Sequence, residues 1–430
     1  TITNSADNRV LTSDGTSTGI NAESNLTFNG TTLDVNGIID IDNLRLDGNT
    51  LSATNTNGNI IVQSNGTGAL QRDSGGNARG QYAVDLQNVR FSSTMVASGN
   101  YSVVGGGFSN NAIGYYSTVS GGRHNTASGY TSTVGGGNSN DASDYGSTVG
   151  GGISNDADGS YSTVGGGFTN NAIGSYSTVG GGFTNNAIGF YSTVGGGRDN
   201  DASGYSSTVG GGRDNDASGY SSTVGGGWGN DAIDLYSTVG GGYNNTASSY
   251  LSTVSGGRDN TASGKYATVV GGIDGVASLY GEEARSSGKF NTSGDAQIRN
   301  FILRNKTSNN HIVNLFLNGS TQEIVVPENS TWVYTIKIVG RNASDTESAG
   351  YKIEGVIESS PLGALLLSKS KTVLAEDNAN WDVDVSIDET GASPIFRITT
   401  TVESDQNDVS WVAYVEVVQV IAEASIPSYS

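Results

Sequence analysis

The chain has no cysteine, four prolines, one methionine (Met95) and two histidines (His124 and His311) among its 430 residues. Without cysteine there is no disulfide, no thiolate metal site and no thiol nucleophile. With two histidines far apart in sequence, no Ser-His-Asp triad and no His-rich metal pattern emerges. Charged residues reach 14 %, against roughly 25 % in an ordinary globular chain, which argues against a polyelectrolyte or a long coiled coil. No apolar run approaches the length of a membrane-spanning helix, so no membrane insertion is expected. No basic and then apolar stretch at the start reads as a secretory signal. Positive charge is also scarce: 21 Lys and Arg stand against 41 Asp and Glu, a net charge of −20. A chain with no basic stripe has no means of following phosphates, so nucleic acid is not an expected partner. The same charge discourages general adhesion to anionic cell surfaces, so binding to a cell must be short-range and specific.

Glycine is what the chain has in excess, 65 residues without a Gly-X-Y period, which excludes collagen. Its distribution reveals a repeat. Val104, Val119, Val134 and every fifteenth residue to Val269 are valine, and eight residues after each valine stands an alanine, from Ala112 to Ala277. Twelve copies of Tyr-Ser-Thr-Val-Gly-Gly-Gly-x-x-Asn-x-Ala-Ser-Gly run through 101–281 without an insertion. The period is too short for ankyrin, tetratricopeptide or leucine-rich arrays. Each copy divides into two short extended pieces that bury one small apolar residue and end in Gly- or Asn-rich corners. The pattern predicts a parallel β-solenoid with one coil per copy, stacked at about 4.8 Å. One Val and one Ala per coil cannot offset a backbone entropy of about 1–2 kcal/mol per residue, so lateral association into a homotrimer is expected.

Two further columns accompany the core. A tyrosine stands three or four residues before every repeat valine, from Tyr101 to Tyr266, and is read as stacking between coils or at a subunit seam rather than as a sugar platform. Four residues after the valine come Phe108, Arg123, Phe168, Phe183, Arg198, Trp228 and their counterparts. Ile follows five residues after each Phe and after Trp228, and Ser after each Arg, which predicts contact across a corner. Corners such as Arg198-Asp199-Asn200-Asp201 lack the further oxygen ligands and closing acid of a calcium loop, so no metal and no cofactor is expected.

The flanks differ. Residues 1–100 read as an N-terminal β-hairpin stalk, with a strand, an Asn-Gly turn and a return over Leu26–Gly37, and similar pieces at 44–49 and 60–66. Residues 282–430 hold three of the four tryptophans. Nine strands are expected there: 298–304, 312–317, 323–326, 332–339, 351–357, 364–374, 381–387, 395–402 and 411–420. With polar turns between them they suggest an antiparallel sandwich. The expected class is therefore all-β.

Three groups of residues carry a resemblance to bacteriophage fibres. Leu26-Thr27-Phe28-Asn29-Gly30-Thr31-Thr32-Leu33 resembles their stalk modules. Tyr176-Ser177-Thr178-Val179-Gly180-Gly181-Gly182-Phe183 is similar to the left-handed β-roll heads of trimeric adhesins and the related phage shafts. Gly294-Asp295-Ala296-Gln297 with Ser348-Ala349-Gly350-Tyr351 and Trp411-Val412-Ala413 looks like a C-terminal module of phage fibres. The resemblance implies a homotrimer on the virion surface, held by other virion proteins at its N-terminal end, with the C-terminal module outward. The expected function is non-enzymatic attachment to a host-surface glycan or protein. A trimeric bacterial adhesin and a glycan-degrading tailspike are the alternatives; the adhesin class carries a signal peptide and a C-terminal anchor, neither of which is recognised here. Non-repeating loops commonly carry binding, which makes Arg341, Asn342, Asp345, Glu347, Asn378, Asn380 and Trp381 the candidate receptor-binding residues. Trp381 either stacks on a sugar or, opening a strand, belongs to the core.

Overall fold

The computed structural model describes residues 9–13, 20–28, 33–35, 62–64, 66–307, 312–342, 346–402 and 408–422. It divides into two units, 1–62 and 63–430. In the first, the strands Arg9–Ser13, Ile20–Phe28 and Leu33–Val35 form an antiparallel sheet. Phe28 pairs with Leu33, so the strand and return read from the sequence are both present. Their turn, the hairpin expected at 44–49, and Ile60 and Ile61 lie outside the described residues.

In the second unit the fifteen-residue period closes into coils. Thr178–Val179 pairs in parallel with Thr193–Val194, and Asn186–Ala187 with Asp201–Ala202, and the same register recurs through the repeat. The ladder runs from Leu70–Gln71 through Val84–Asp85 to Glu283–Ser287, so less regular coils continue it beyond the twelve copies. Every repeat Val and Ala is fully buried. The expected two extended pieces are joined by a third contact, a parallel bridge at the Phe/Arg column such as Phe168 to Phe183. That bridge is one residue wide and its side chain varies, which hides it from periodicity.

The coil interior also holds an asparagine column, unbroken from Asn110 to Asn260, whose members in the sequence alone look like ordinary corner residues. Asn185 donates from Nδ2 to the carbonyls of Gly181 and Gly197 at 2.9 Å each. Its Oδ1 accepts from the Asn200 amide at 3.1 Å. Each asparagine thus satisfies the backbone of its own coil and of its neighbours, which a buried corner requires. Glycine is obligatory beside it: a Cβ on Gly182, at φ 101°, would lie 2.1 Å from the Gly197 carbonyl oxygen. Glycine does not supply all the left-handed corners, however. Tyr176 (φ 59°) and Thr184 (φ 55°) adopt that region too, held by hydrogen bonds that their backbone N–H groups donate to the Ser160 and Phe168 carbonyls. The Phe–Ile pairs lie on the outside, with Phe168 and Ile173 both more than two-fifths exposed.

One strand position carries five aspartates in register: Asp141 pairs with Asp156, and Asp216 with Asp201 and Asp231. Burial is the main cause that raises each carboxyl above its ordinary value, assisted at most sites by a neighbouring aspartate, and Asp141 is pushed up to about 6. A folded-state pKa above the unfolded one means that the charged form penalises the fold. That penalty is full above pH of about 6 and fades as pH falls toward 3.8. Asn171 and Asn186 occupy the same column, so asparagine fits. Asp141→Asn with Asp156→Asn should raise the melting temperature at pH 8, and the gain should disappear near pH 4. A gain independent of pH would contradict this account of the column.

The last coil passes into an antiparallel sheet. Glu283–Ser287 pairs in parallel with Thr268–Ile273 and antiparallel with Ala296–Thr307. The sheet continues through Val409–Ile421, Ser330–Asn342, Ser348–Ser360 and Gly363–Glu376. A second sheet, made by Ile312–Asn314, Ile324–Val325, Trp381–Asp388 and Ile395–Val402, covers one face. Trp332, Tyr334, Trp411, Val383 and Phe396 fill the space between the two. All nine expected strands are present, and no helix occurs among the described residues. At the junction, buried Arg299 donates to Glu282 at 2.6 Å and to Gln419 at 2.9 Å, joining the end of the coils to the sheet.

Candidate functional site

The register fixes where the candidate loops lie. The coils join the first sheet where Glu283–Ser286 pairs with Asn300–Gln297. The opposite end is defined by Thr307 paired with Val409, and Val409 with Asn342. Arg341 and Asn342 end their strand at this distal edge, Ser348 begins the return, and Glu376 ends the last strand beside it.

The two loops singled out in the sequence meet there. Arg341 is exposed and donates from Nη1 to the Thr346 carbonyl at 2.9 Å, closing its own loop. Asn342 is buried, and its amide donates to the Glu347 carbonyl at 3.0 Å. Glu347 Oε2 accepts from Asn378 Nδ2 at 3.3 Å, which ties one loop to the other. Asp377, overlooked in the sequence, adds a second tie by accepting from the Ser348 amide at 2.8 Å. The adjacency of Asp377 to the Asn378-Ala379-Asn380 turn was the signal available. Asn378 Oδ1 accepts from the Asn380 amide at 3.0 Å, and Asn380 is exposed. Asp345 lies outside the described residues.

Trp381 is not part of this surface. It is 2 % exposed and packs at 64° against Trp411, with ring centroids 5.5 Å apart. The sugar-stacking expectation for Trp381 is therefore corrected. In Trp381-Asp382-Val383-Asp384-Val385 the odd positions face inward, and the ring follows that alternation. What remains is a rim of carboxylates, amides and one guanidinium, the chemistry that hydrogen-bonds sugar hydroxyls.

The coil columns offer less. Tyrosine rings are spaced closely along the stack, and Tyr205 and Tyr220 lie 5.0 Å apart at 1°. Other neighbours in the column meet edge to face, as Tyr236 and Tyr250 do at 86°, so each ring packs on the next along the stack. Trp228, 46 % exposed, has Arg213 4.9 Å over its ring and donates Nε1 to Asp214 at 3.1 Å. His124 stacks on Phe91, ring centroids 5.1 Å apart. An open groove of about 980 Å³ lies at the junction, lined by Val270, Ile273, Phe290, Ile298, Val418 and Val420 among others. A smaller one, of about 430 Å³, is lined by Arg304, Asn305, Lys306, Gly319, Ser410, Trp411 and Val412. Among the described residues no group of three His, Cys, Asp or Glu is arranged to hold a metal ion.

No protein-family model and no curated protein matches the sequence. Among the solved structures similar to it are three phage tailspikes, each at 8 % identity. The tailspike protein gp49 of Acinetobacter baumannii bacteriophage Fri1, described as a capsular polysaccharide depolymerase, has a TM-score of 0.20 over 80 % of this chain and 71 % of its own. The tailspike of Acinetobacter baumannii phage AM24 has a TM-score of 0.20 over 75 % and 64 %. That of Acinetobacter phage vB_ApiP_P1 has a TM-score of 0.24 over 80 % and 76 %. At these scores no residue of this chain is matched to one of theirs. The expectation that the chain is not an enzyme is nonetheless corrected by the finding of a described depolymerase among these structures. Glycoside cleavage needs only a pair of carboxylates, so the scarcity of histidine excludes nothing of that kind.

Proposed function

We propose that the chain is a fibre or tailspike-type protein on the surface of a bacteriophage particle. In this reading it is a homotrimer held by other virion proteins at its N-terminal end, and its distal loops attach the particle to a host-surface glycan. The observation that carries the reading is the joining of the loops 341–348 and 377–380 through Glu347–Asn378 and Ser348–Asp377. A polar, non-repeating surface at the far end of a long run of near-identical coils suits a recognition tip on a spacer. Trimerisation is supported by the thin coil interior, by the exposed Phe168, Phe183, Ile173 and Ile188, and by the gain that three weak sites draw from multivalency.

The test uses the full chain as a competitor of phage adsorption to host cells. Its native mass should be three times the 44.0 kDa of one chain, and a folded monomer would contradict the trimer. Glu347→Ala with Asn378→Ala removes one of the two ties between the loops and should weaken competition on the order of tenfold, since hydrogen bonds to charged groups contribute about 1.5–3 kcal/mol. The melting temperature should stay within a few degrees of the parent. Undiminished competition by the variant would place recognition elsewhere. Following the host polysaccharide for shortened chains in the same incubation separates a tailspike enzyme from an attachment fibre.

A further inference from the structure

The chain carries a net charge of −20, yet the distal part of its main sheet is basic on the face turned away from the second sheet. Lys306, Ser410 and Arg341 occupy one rung, because Lys306 pairs with Ser410 and Ser410 with Arg341. All three are exposed. Arg304 lies two residues back along its strand on the same face, paired with Val412. Lys337 lies four residues before Arg341, also outward.

Elsewhere in this module most cations are spoken for; Arg285, at the opposite end of the sheet beside the last coil, is exposed and has no carboxylate partner among the described residues. Arg299 is paired with Glu282, Lys352 with Glu354, Lys369 with Asp384, Lys371 with Asp382, and Arg397 with Glu323 and Asp388. Among the described residues Arg304, Lys306, Lys337 and Arg341 have no carboxylate partner. Arg304 donates to the Asn318 carbonyl at 3.3 Å, which leaves its charge uncompensated while orienting the guanidinium. The groove of about 430 Å³ is lined by two of these groups, Arg304 and Lys306, together with Ser410, Trp411 and Val412 from the neighbouring strand.

We propose that this groove binds an anionic group, a carboxylate or a phosphate, borne by a host-surface polymer. The inference rests on the glycan-attachment reading and narrows its substrate class to acidic polymers. Two unpaired cations on one strand, with a hydroxyl donor facing Lys306 on the next, match the charge and hydrogen-bonding capacity of such a group. The surrounding negative charge makes the match selective. A polyanion is repelled by most of the chain and is held where its charge meets Arg304 and Lys306, with Arg341 on the same rung as Lys306, so the interaction is local and sensitive to salt.

The experiment measures binding of the full chain to three immobilised polymers: polygalacturonate for carboxylate, poly(glycerol phosphate) for phosphate, and neutral dextran. Binding to at least one polyanion and not to dextran is expected, weakening as salt is raised. Arg304→Gln with Lys306→Gln should weaken it by roughly tenfold or more. Lys265→Gln, which removes an exposed cation from a coil, should leave it unchanged. The polymer whose binding the double variant loses identifies the source of the anion. Failure of the parent to bind either polyanion, equal binding to dextran, or undiminished binding by a folded double variant overturns the proposal. If host-cell adsorption remains sensitive to Glu347→Ala with Asn378→Ala in that event, the attachment reading stands and only the acidic class falls.

Discussion

Val179→Asp is expected to cost about 3–5 kcal/mol, the range for a buried charge left without a partner. Val179 is fully buried, and its neighbours along the stack are Val164 and Val194, so no donor or cation lies beside the new carboxylate in the ladder. Coils contact chiefly their neighbours, and a stack of this kind breaks where it is weakest. Thermal unfolding should therefore begin at this coil. Hydrogen exchange should accelerate first at the amides of 178–195, while the sandwich around Trp332 and Trp411 keeps its protection. A variant that melts like the parent would mean that Val179 does not point inward.

Asn185→Ala should be as damaging for a different reason. Asn185 is fully buried, and its amide bridges three coils through the Gly181 and Gly197 carbonyls, Asn170 Oδ1 and the Asn200 amide. Truncation strands the Gly181 carbonyl and the Asn200 backbone N–H inside the stack, while the Gly197 carbonyl keeps the Phe183 amide. At about 1–3 kcal/mol for each unsatisfied group, the loss should be about 2–6 kcal/mol. The neighbouring Asn186, half-buried and joined side chain to side chain with Asn171 at 3.0 Å, offers the control: Asn186→Ala should cost less than about 1.5 kcal/mol, the upper end for one ordinary hydrogen bond. Denaturant midpoints of the two variants measure the contrast, and equal midpoints would remove the asparagine column from the account of stability.

The coil stack was legible because its register is written twice per copy, once in valine and once in alanine, and neither column slips. The sandwich strands were legible because inward residues alternate, as in Trp332, Tyr334, Ile336 and Ile338. What escaped was chemistry that depends on neighbouring coils. The asparagine column looks like ordinary turn composition until Gly197 is seen to lie one rung from Gly182. The left-handed tyrosines were hidden because nothing in a single copy announces that Tyr176 is held by the Ser160 carbonyl. At the candidate site the sequence supplied both loops, but not their union, since Glu347 and Asn378 meet only after Ser348–Ser360 and Gly363–Glu376 have paired. It also left Trp381 between sugar platform and core, a choice made by burial against Trp411. The basic groove was invisible for a related reason: Arg304, Lys306, Ser410 and Arg341 become neighbours only through antiparallel register, within a chain whose overall charge points the other way.

The central claim is that the coils are a spacer and that recognition resides in the distal part of the C-terminal module. Removing Phe168 to Gly197 deletes two whole coils and brings Gly167 onto Arg198 without disturbing the period. Adsorption to host cells by this shortened protein tests the claim most directly. The account predicts a folded protein whose stack is shorter by two rungs, about 9.6 Å at 4.8 Å each, and whose competition for host cells equals that of the parent. A shortened protein that folds and melts normally but no longer competes would place recognition in the coils and contradict it.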